Sequence, residues 1–156
     1  MFFDLTCNQE HVGNYKLVAQ KLPIMTLILI IEDNETIADS LSYFIKYLSH
    51  YDTLIANSAE IAIETLARGI RPDLILLDVK LPGMDGIDFL SKMHRITDMN
   101  GTKVIIYTGL PEARVRSALE ERNIFIEHIV EKPARPSELI GLIEDTLRIP
   151  QKTNPL

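Results

Sequence analysis

The stretch "LILLDVKLPGMDG", Leu74 to Gly86, decides how the rest of the chain is read. Four large apolar residues, Leu74 to Leu77, stop at a single carboxylate, Asp78, and a loop bearing Pro82, Gly83 and Gly86 follows at once. An apolar run without alternation is the pattern of a strand covered on both faces. A charge at the mouth of such a strand is costly to bury unless something pairs with it. What stands opposite Asp78 therefore matters as much as the strand itself.

Working outward, the same kind of run recurs. Strands are expected at "TLILII" (Thr26–Ile31), "TLIAN" (Thr53–Asn57), "DLILLD" (Asp73–Asp78), "KVIIYT" (Lys103–Thr108) and "FIEHIV" (Phe125–Val130). Amphipathic stretches separate them. In "NETIADSLSYFIKYLSH" Ile37, Leu41, Ile45 and Leu48 recur at helical spacing, with Asn34 as the cap. "SAEIAIETLARG" offers Ser58 as cap, Ile61, Ile63 and Leu66 for burial, and Gly69 as the stop. "GMDGIDFLSKMHRI" and "PEARVRSALEERN" read as the third and fourth helices. "RPSELIGLIEDTLR" is the fifth, with Leu139, Leu142, Ile143 and Leu147 inward. Strand–helix units in unbroken succession imply a doubly wound α/β fold, a parallel five-stranded sheet with helices on both faces.

Size and composition agree with one such domain. The chain has 156 residues, 46% of them apolar, and a formal net charge of −6 that opposes binding to nucleic acid phosphates. It divides into a leader over residues 1–25 that fits no strand–helix unit, a domain over 26–149, and a loose tail over 150–156 with Pro150 and Pro155. The single cysteine, Cys7, excludes an internal disulfide, and a cytoplasmic location is expected. The most membrane-like stretch, Leu22 to Asp33, has an apolar run about half the ~20 residues needed to span a bilayer. It reads as a buried strand.

In open α/β sheets ligands gather beyond the carboxyl ends of the strands. The first strand ends at Glu32 and Asp33, the third at Asp78, the fourth at Thr108, and Lys132 follows the fifth. Taken singly, each has an ordinary explanation. Acidic residues cap helices, Pro and Gly punctuate turns, threonine favours strands and lysine favours the surface. Joint placement at successive strand ends is what sets them apart. Two unit charges about 5 Å apart repel by roughly 3 kcal/mol at an effective dielectric of about 20. Either a proton is held or a cation is bound, and an all-oxygen site suits Mg²⁺. With Lys132 to meet phosphate oxygens and Thr108 to donate a hydroxyl, the set fits phosphoryl transfer onto a carboxylate. His11, His50, His94 and His128 are scattered without metal-ligand spacing.

These pieces, "IIEDN", "LILLDVKLPGMDG", "VIIYTG" and "VEKPARPSEL", resemble in order and spacing the receiver domain of two-component response regulators, of the single-domain type. The resemblance runs from about Thr26 to Arg148 and implies the flavodoxin-like (βα)5 fold. It implies a signalling domain rather than an enzyme. Asp78 matches the phosphate acceptor. Glu32, Asp33, Asp78 and the backbone carbonyl of Lys80 match the Mg²⁺ site. Thr108 matches the hydroxyl that turns toward the phosphoryl group, and Lys132 the lysine that pairs with it, before a cis proline bond at Pro133.

The implied partners are a histidine kinase or histidine phosphotransfer protein as donor, and a protein target at the fourth helix, fifth strand and fifth helix. A homodimer is compatible with this, whereas direct DNA binding and membrane contact are not expected. The sequence departs from the family at Ile129, where an aromatic residue is usual, at "ERNIF" before the fifth strand, at Ala134, and at Lys80 two residues past the acceptor. Two other classes stay open: a pseudo-receiver that binds protein without taking phosphate, and a Mg²⁺-dependent phosphatase with an aspartate nucleophile. Lys80 stands where such a phosphatase favours a second aspartate.

Overall fold

The computed structural model describes residues 25–96 and 101–148; the expectations for the leader, Met25 apart, and for the tail over residues 150–156 lie outside them. Elements alternate along the chain as β1 (Leu27–Ile31), α1 (Glu35–Ser49), β2 (Asp52–Ala56), α2 (Ala59–Ala67), β3 (Leu74–Leu77), α3 (Gly86–Ile96), β4 (Lys103–Thr108), α4 (Glu112–Glu120), β5 (His128–Glu131) and α5 (Pro136–Arg148). All neighbouring strands pair in parallel, in the order β2-β1-β3-β4-β5. The doubly wound sheet expected from the sequence is the one observed.

Side chains of successive strand residues leave opposite faces of a sheet, and this splits the core in two. Leu29, Ile31, Ile75, Leu77 and Ile106 meet α2, α3 and α4 through Leu66, Phe89, Met93 and Leu119. Ile28, Ile30, Leu74, Leu76 and Ile105 meet α1 and α5 through Leu41, Ile45, Leu139 and Ile143. β3 is fully buried because it has strands on both sides and helices on both faces.

Helix starts follow local chemistry. Asn34 Oδ1 accepts the Ile37 N–H at 3.1 Å and Ser58 Oγ accepts the Ile61 N–H at 3.2 Å, so both expected caps are made. Helix faces follow the sheet instead. Ala38, Ala59 and Ala62 take the close contacts, leaving Leu48 46% and Ile61 43% exposed, contrary to the burial expected of them. Small residues let a helix lie close to the strands, and that rotates its larger apolar neighbours outward.

The fifth strand also differs from expectation. It begins at His128, not Phe125. The chain leaves α4 through Asn123 at φ +53°, then buries Ile124 and Ile126 in the α2–α4 side of the core while Phe125 points out, 84% exposed. That in–out–in pattern has the period of a strand, but β4 pairs only from Ile105 opposite His128 onward.

Candidate functional site

The strand order reverses between β1 and β3, since β1 connects onward to β2 on one side and pairs with β3 on the other. Such a reversal opens a crevice above the strand ends. Ladder hydrogen bonds continue one step past the strands there and fix the residues at its rim. Glu32 N–H donates to the Ala56 carbonyl at 3.1 Å, Asp78 N–H to Ile31 at 2.9 Å, and Lys132 N–H to Thr108 at 2.8 Å.

The side chains then converge. Carboxylate oxygens of Glu32, Asp33 and Asp78 lie within 4.8 Å of one another. Glu32 and Asp78 are buried and Asp33 is exposed at the rim. Lys132, 100 positions from Glu32 in sequence, sets its Nζ 2.5 Å from Glu32 Oε2 and 2.6 Å from Asp78 Oδ2. That is what stands opposite Asp78. The second oxygen of Asp78 accepts the Lys80 N–H at 3.0 Å, and that of Glu32 the Asn34 N–H at 3.3 Å. Thr108 is buried at the end of β4, its Oγ1 accepting the Leu110 N–H at 3.4 Å. The Lys132–Pro133 bond is cis, as the resemblance to receiver domains implied.

Burial pulls the Lys132 ammonium toward neutrality. Hydrogen bonds to Asp78 and Glu32, and the charges of both, outweigh it and hold the group above its ordinary range. One ammonium against three carboxylates still leaves two negative charges in excess. The donor set is all oxygen, partly buried and open at Asp33, which fits a hard divalent cation such as Mg²⁺.

The loop after β3 is shaped by glycine. Gly83 has φ +76°, a conformation that side chains with a Cβ rarely adopt. At Gly86 a Cβ would meet the Asp78 carbonyl and come within 2.8 Å of Val79 Cα, so the turn folds back onto the backbone of Asp78 itself. Three further residues were not anticipated from the sequence. Tyr107 sets its ring centroid 5.4 Å from Lys132 Nζ and its hydroxyl accepts the Ala134 N–H at 3.4 Å. Glu60, on α2, accepts the Met84 N–H at 3.2 Å, steadying that loop. A hydrogen bond from its own backbone N–H, then those from Met84 and Ser58, hold its carboxyl below the usual range against the effect of burial. Glu131 accepts the Glu112 N–H at 2.7 Å. Only Glu131 had a visible signal, a charge beside Lys132 at a strand end.

The fold and this pocket define a class: doubly wound α/β proteins with an acid–lysine pocket at the switch point. A sequence model of the response regulator receiver domain matches residues 28–144, and the chain belongs to that family. Its members are receivers of two-component signalling, with phosphorylation on an aspartate as the general property. Among curated relatives, a protein-glutamate methylesterase/protein-glutamine glutaminase of Burkholderia thailandensis is 31% identical over 109 residues, 70% of this chain and 29% of that protein. The DNA-binding response regulator MtrA of Mycolicibacterium smegmatis is 30% identical over 122 residues, 78% of this chain and 50% of its own. The chain thus spans half or less of these relatives. A CheY-like receiver domain protein of Methanospirillum hungatei aligns at TM-score 0.68 and 27% identity, covering 79% of this chain and 94% of that one. Among the described residues no helix is long and apolar enough to cross a membrane.

Proposed function

We propose that this chain is a phosphorylation switch that accepts a phosphoryl group on Asp78 from a phosphohistidine partner, a histidine kinase or histidine phosphotransfer protein. The single observation that carries the reading is the Lys132 ammonium bridging Glu32 and Asp78 at 2.5 and 2.6 Å. A carboxylate attacks a phosphorus ringed by anionic oxygens only where its own charge is offset. Here Lys132 offsets it and fixes one Asp78 oxygen, while the Lys80 N–H holds the other.

In the transfer an O–P bond forms at Asp78 and the N–P bond of the donor breaks. The imidazole leaves as a neutral ring, its other nitrogen carrying the proton. Lys132 is then the cation nearest the new phosphoryl oxygens, and Thr108 the hydroxyl that can turn to donate to one. Glu32, Asp33, Asp78 and the Lys80 carbonyl are the residues that would hold Mg²⁺, whose chemistry is to neutralise phosphoryl charge and order its oxygens.

The output we assign to this segment is protein contact on α4, β5 and α5, in the cytoplasm. The net charge of −6 supports contact with protein over direct contact with DNA.

Incubation with Mg²⁺ and a small phosphoryl donor, followed by intact-mass measurement, tests the reading. A single stable adduct that is lost in Asp78→Asn is the expected result. Multiple turnover of unrelated phosphate esters would point to a hydrolase. An unmodified mass with every donor, a kinase included, would leave a protein-binding module.

A further inference from the structure

We infer that Glu131 is a positioning residue that couples the start of α4 to the acceptor pocket, an inference that rests on the phosphoacceptor reading above. The helix opens without a cap of its own, because Pro111 stands at the N-cap and makes no side-chain hydrogen bond. The first N–H groups of a helix have no partner within it and need acceptors from elsewhere. Glu131 supplies one from another strand, its Oε1 lying 2.7 Å from the Glu112 nitrogen, 19 positions away in sequence. A carboxylate at that point satisfies an orphan donor and meets the positive end of the helix dipole.

The backbone joins the same residue to the pocket. Glu131 stands opposite Thr108 in the β4–β5 ladder, and the next residue, Lys132, donates its N–H to the Thr108 carbonyl. Lys132 then reaches Asp78 and Glu32. Adjacent residues thus grip the helix and the acidic cluster. Displacement of the ammonium by an incoming phosphoryl group moves a backbone that also carries the cap. Thr108 works on the other side of the same turn: when its hydroxyl swings to a phosphoryl oxygen it leaves the Leu110 N–H, which loosens the approach to α4.

The rest of the helix is fixed independently. Arg116, one turn in, donates to the carbonyls of Ile126 and Glu127 at 3.2 and 3.3 Å, while its 2.8 Å bond to Glu112 Oε1 lies within the helix and ties the first turn to nothing outside it. Its first turn is accordingly the part that Glu131 can hold or release. Ile129 packs against the core and offers no polar handle, so the tie on this strand falls to Glu131.

The test compares the wild type with Glu131→Leu and Glu131→Gln, each unloaded and loaded with Mg²⁺ and beryllofluoride, a tetrahedral mimic of the phosphoryl group. Fluorine NMR reports occupancy of the acceptor, and amide exchange at residues 112–115 reports the first turn of α4. Loading is expected to speed wild-type exchange there by about fivefold, the size of one cap lost. Glu131→Leu should start about fivefold less protected and lose the loading response, with its fluorine signal retained. Glu131→Gln, whose amide oxygen still accepts, should recover most of that response.

Equal protection in the unloaded wild type and Glu131→Leu overturns the inference. So does an intact loading response in Glu131→Leu, which is what a merely structural cap would give. A normal fluorine signal with an unmoved α4 in the wild type brings down this inference alone. No bound-fluoride signal in the wild type brings down the acceptor reading and this inference with it.

Discussion

An ammonium held between Glu32 and Asp78 keeps two buried carboxylates from facing each other uncompensated. Removing one member of a buried ion pair costs about 3 kcal/mol or more, since the charge left behind has neither water nor partner. Lys132→Met should therefore lower unfolding stability by about 3 kcal/mol at neutral pH in urea titrations without divalent metal. A loss no larger than that of a surface lysine would contradict the bridging geometry. The alkaline side has its own signature. The folded protein holds the Lys132 proton more tightly than the unfolded chain, whose lysine has its ordinary value of 10.5. The stabilisation is fully present below that value and is lost as pH climbs through the higher folded one. The gap between wild type and Lys132→Met should stay level through mildly alkaline pH and narrow only above about 10.5, as repeated urea titrations would show.

Elements position these residues, and the loop from β3 to α3 does so with least tolerance. A methyl at Gly86 would meet backbone atoms of Asp78 and Val79, which cannot swing aside as a side chain would. Gly86→Ala should cost about 2 kcal/mol in stability, in the range of overpacked cores, and should weaken Mg²⁺ binding as Asp78 is pushed from place. Normal metal affinity with unchanged stability would show that the turn is looser than its geometry implies. How much of this was readable from the sequence follows from the range of each interaction. β3 announced itself because a strand buried on both faces is continuously apolar. Glu32, Asp33, Asp78, Thr108 and Lys132 could be read because each stands where an apolar run stops. Asn34 and Ser58 could be read as caps because their partners lie three residues away. Glu60 could not, since its partner lies 24 positions off and leaves no local pattern, and Glu131 showed only as a charge beside Lys132, its partner lying 19 positions off. Phe125 to Glu127 misled because a loop plugging the core, as Ile126 does, can alternate as a strand does. Leu48 and Ile61 misled because closeness of approach, set by alanines, decides which face of a helix is buried.

At the scale of the whole molecule, the pocket joins four strand ends, so its charge acts on the stability of the entire fold. The cluster keeps two negative charges in excess after Lys132 is counted, and Asp33 is its exposed member. Two opposing consequences follow from that one residue. Without a divalent ion, Asp33 faces two carboxylates against one ammonium and is on balance repelled, so Asp33→Asn should leave stability unchanged or raise it by up to about 1 kcal/mol, the size of such a repulsion in a largely aqueous setting. With Mg²⁺ the sign reverses. A ligand bound only by the folded state stabilises it by RT ln(1 + [L]/Kd), about 2.7 kcal/mol at a hundredfold excess over Kd. Wild type should gain that much as MgCl2 is added, and Asp33→Asn should gain little, so the two stability curves cross. Screening by added salt acts on both proteins alike, and a titration with NaCl at matched ionic strength subtracts it. Parallel magnesium responses in the two proteins would mean that Asp33 holds no cation. A wild type that responds to magnesium no more than to sodium would mean that its excess negative charge is borne by the fold alone, and Asp78 would then lack the divalent cation that the proposed transfer calls for.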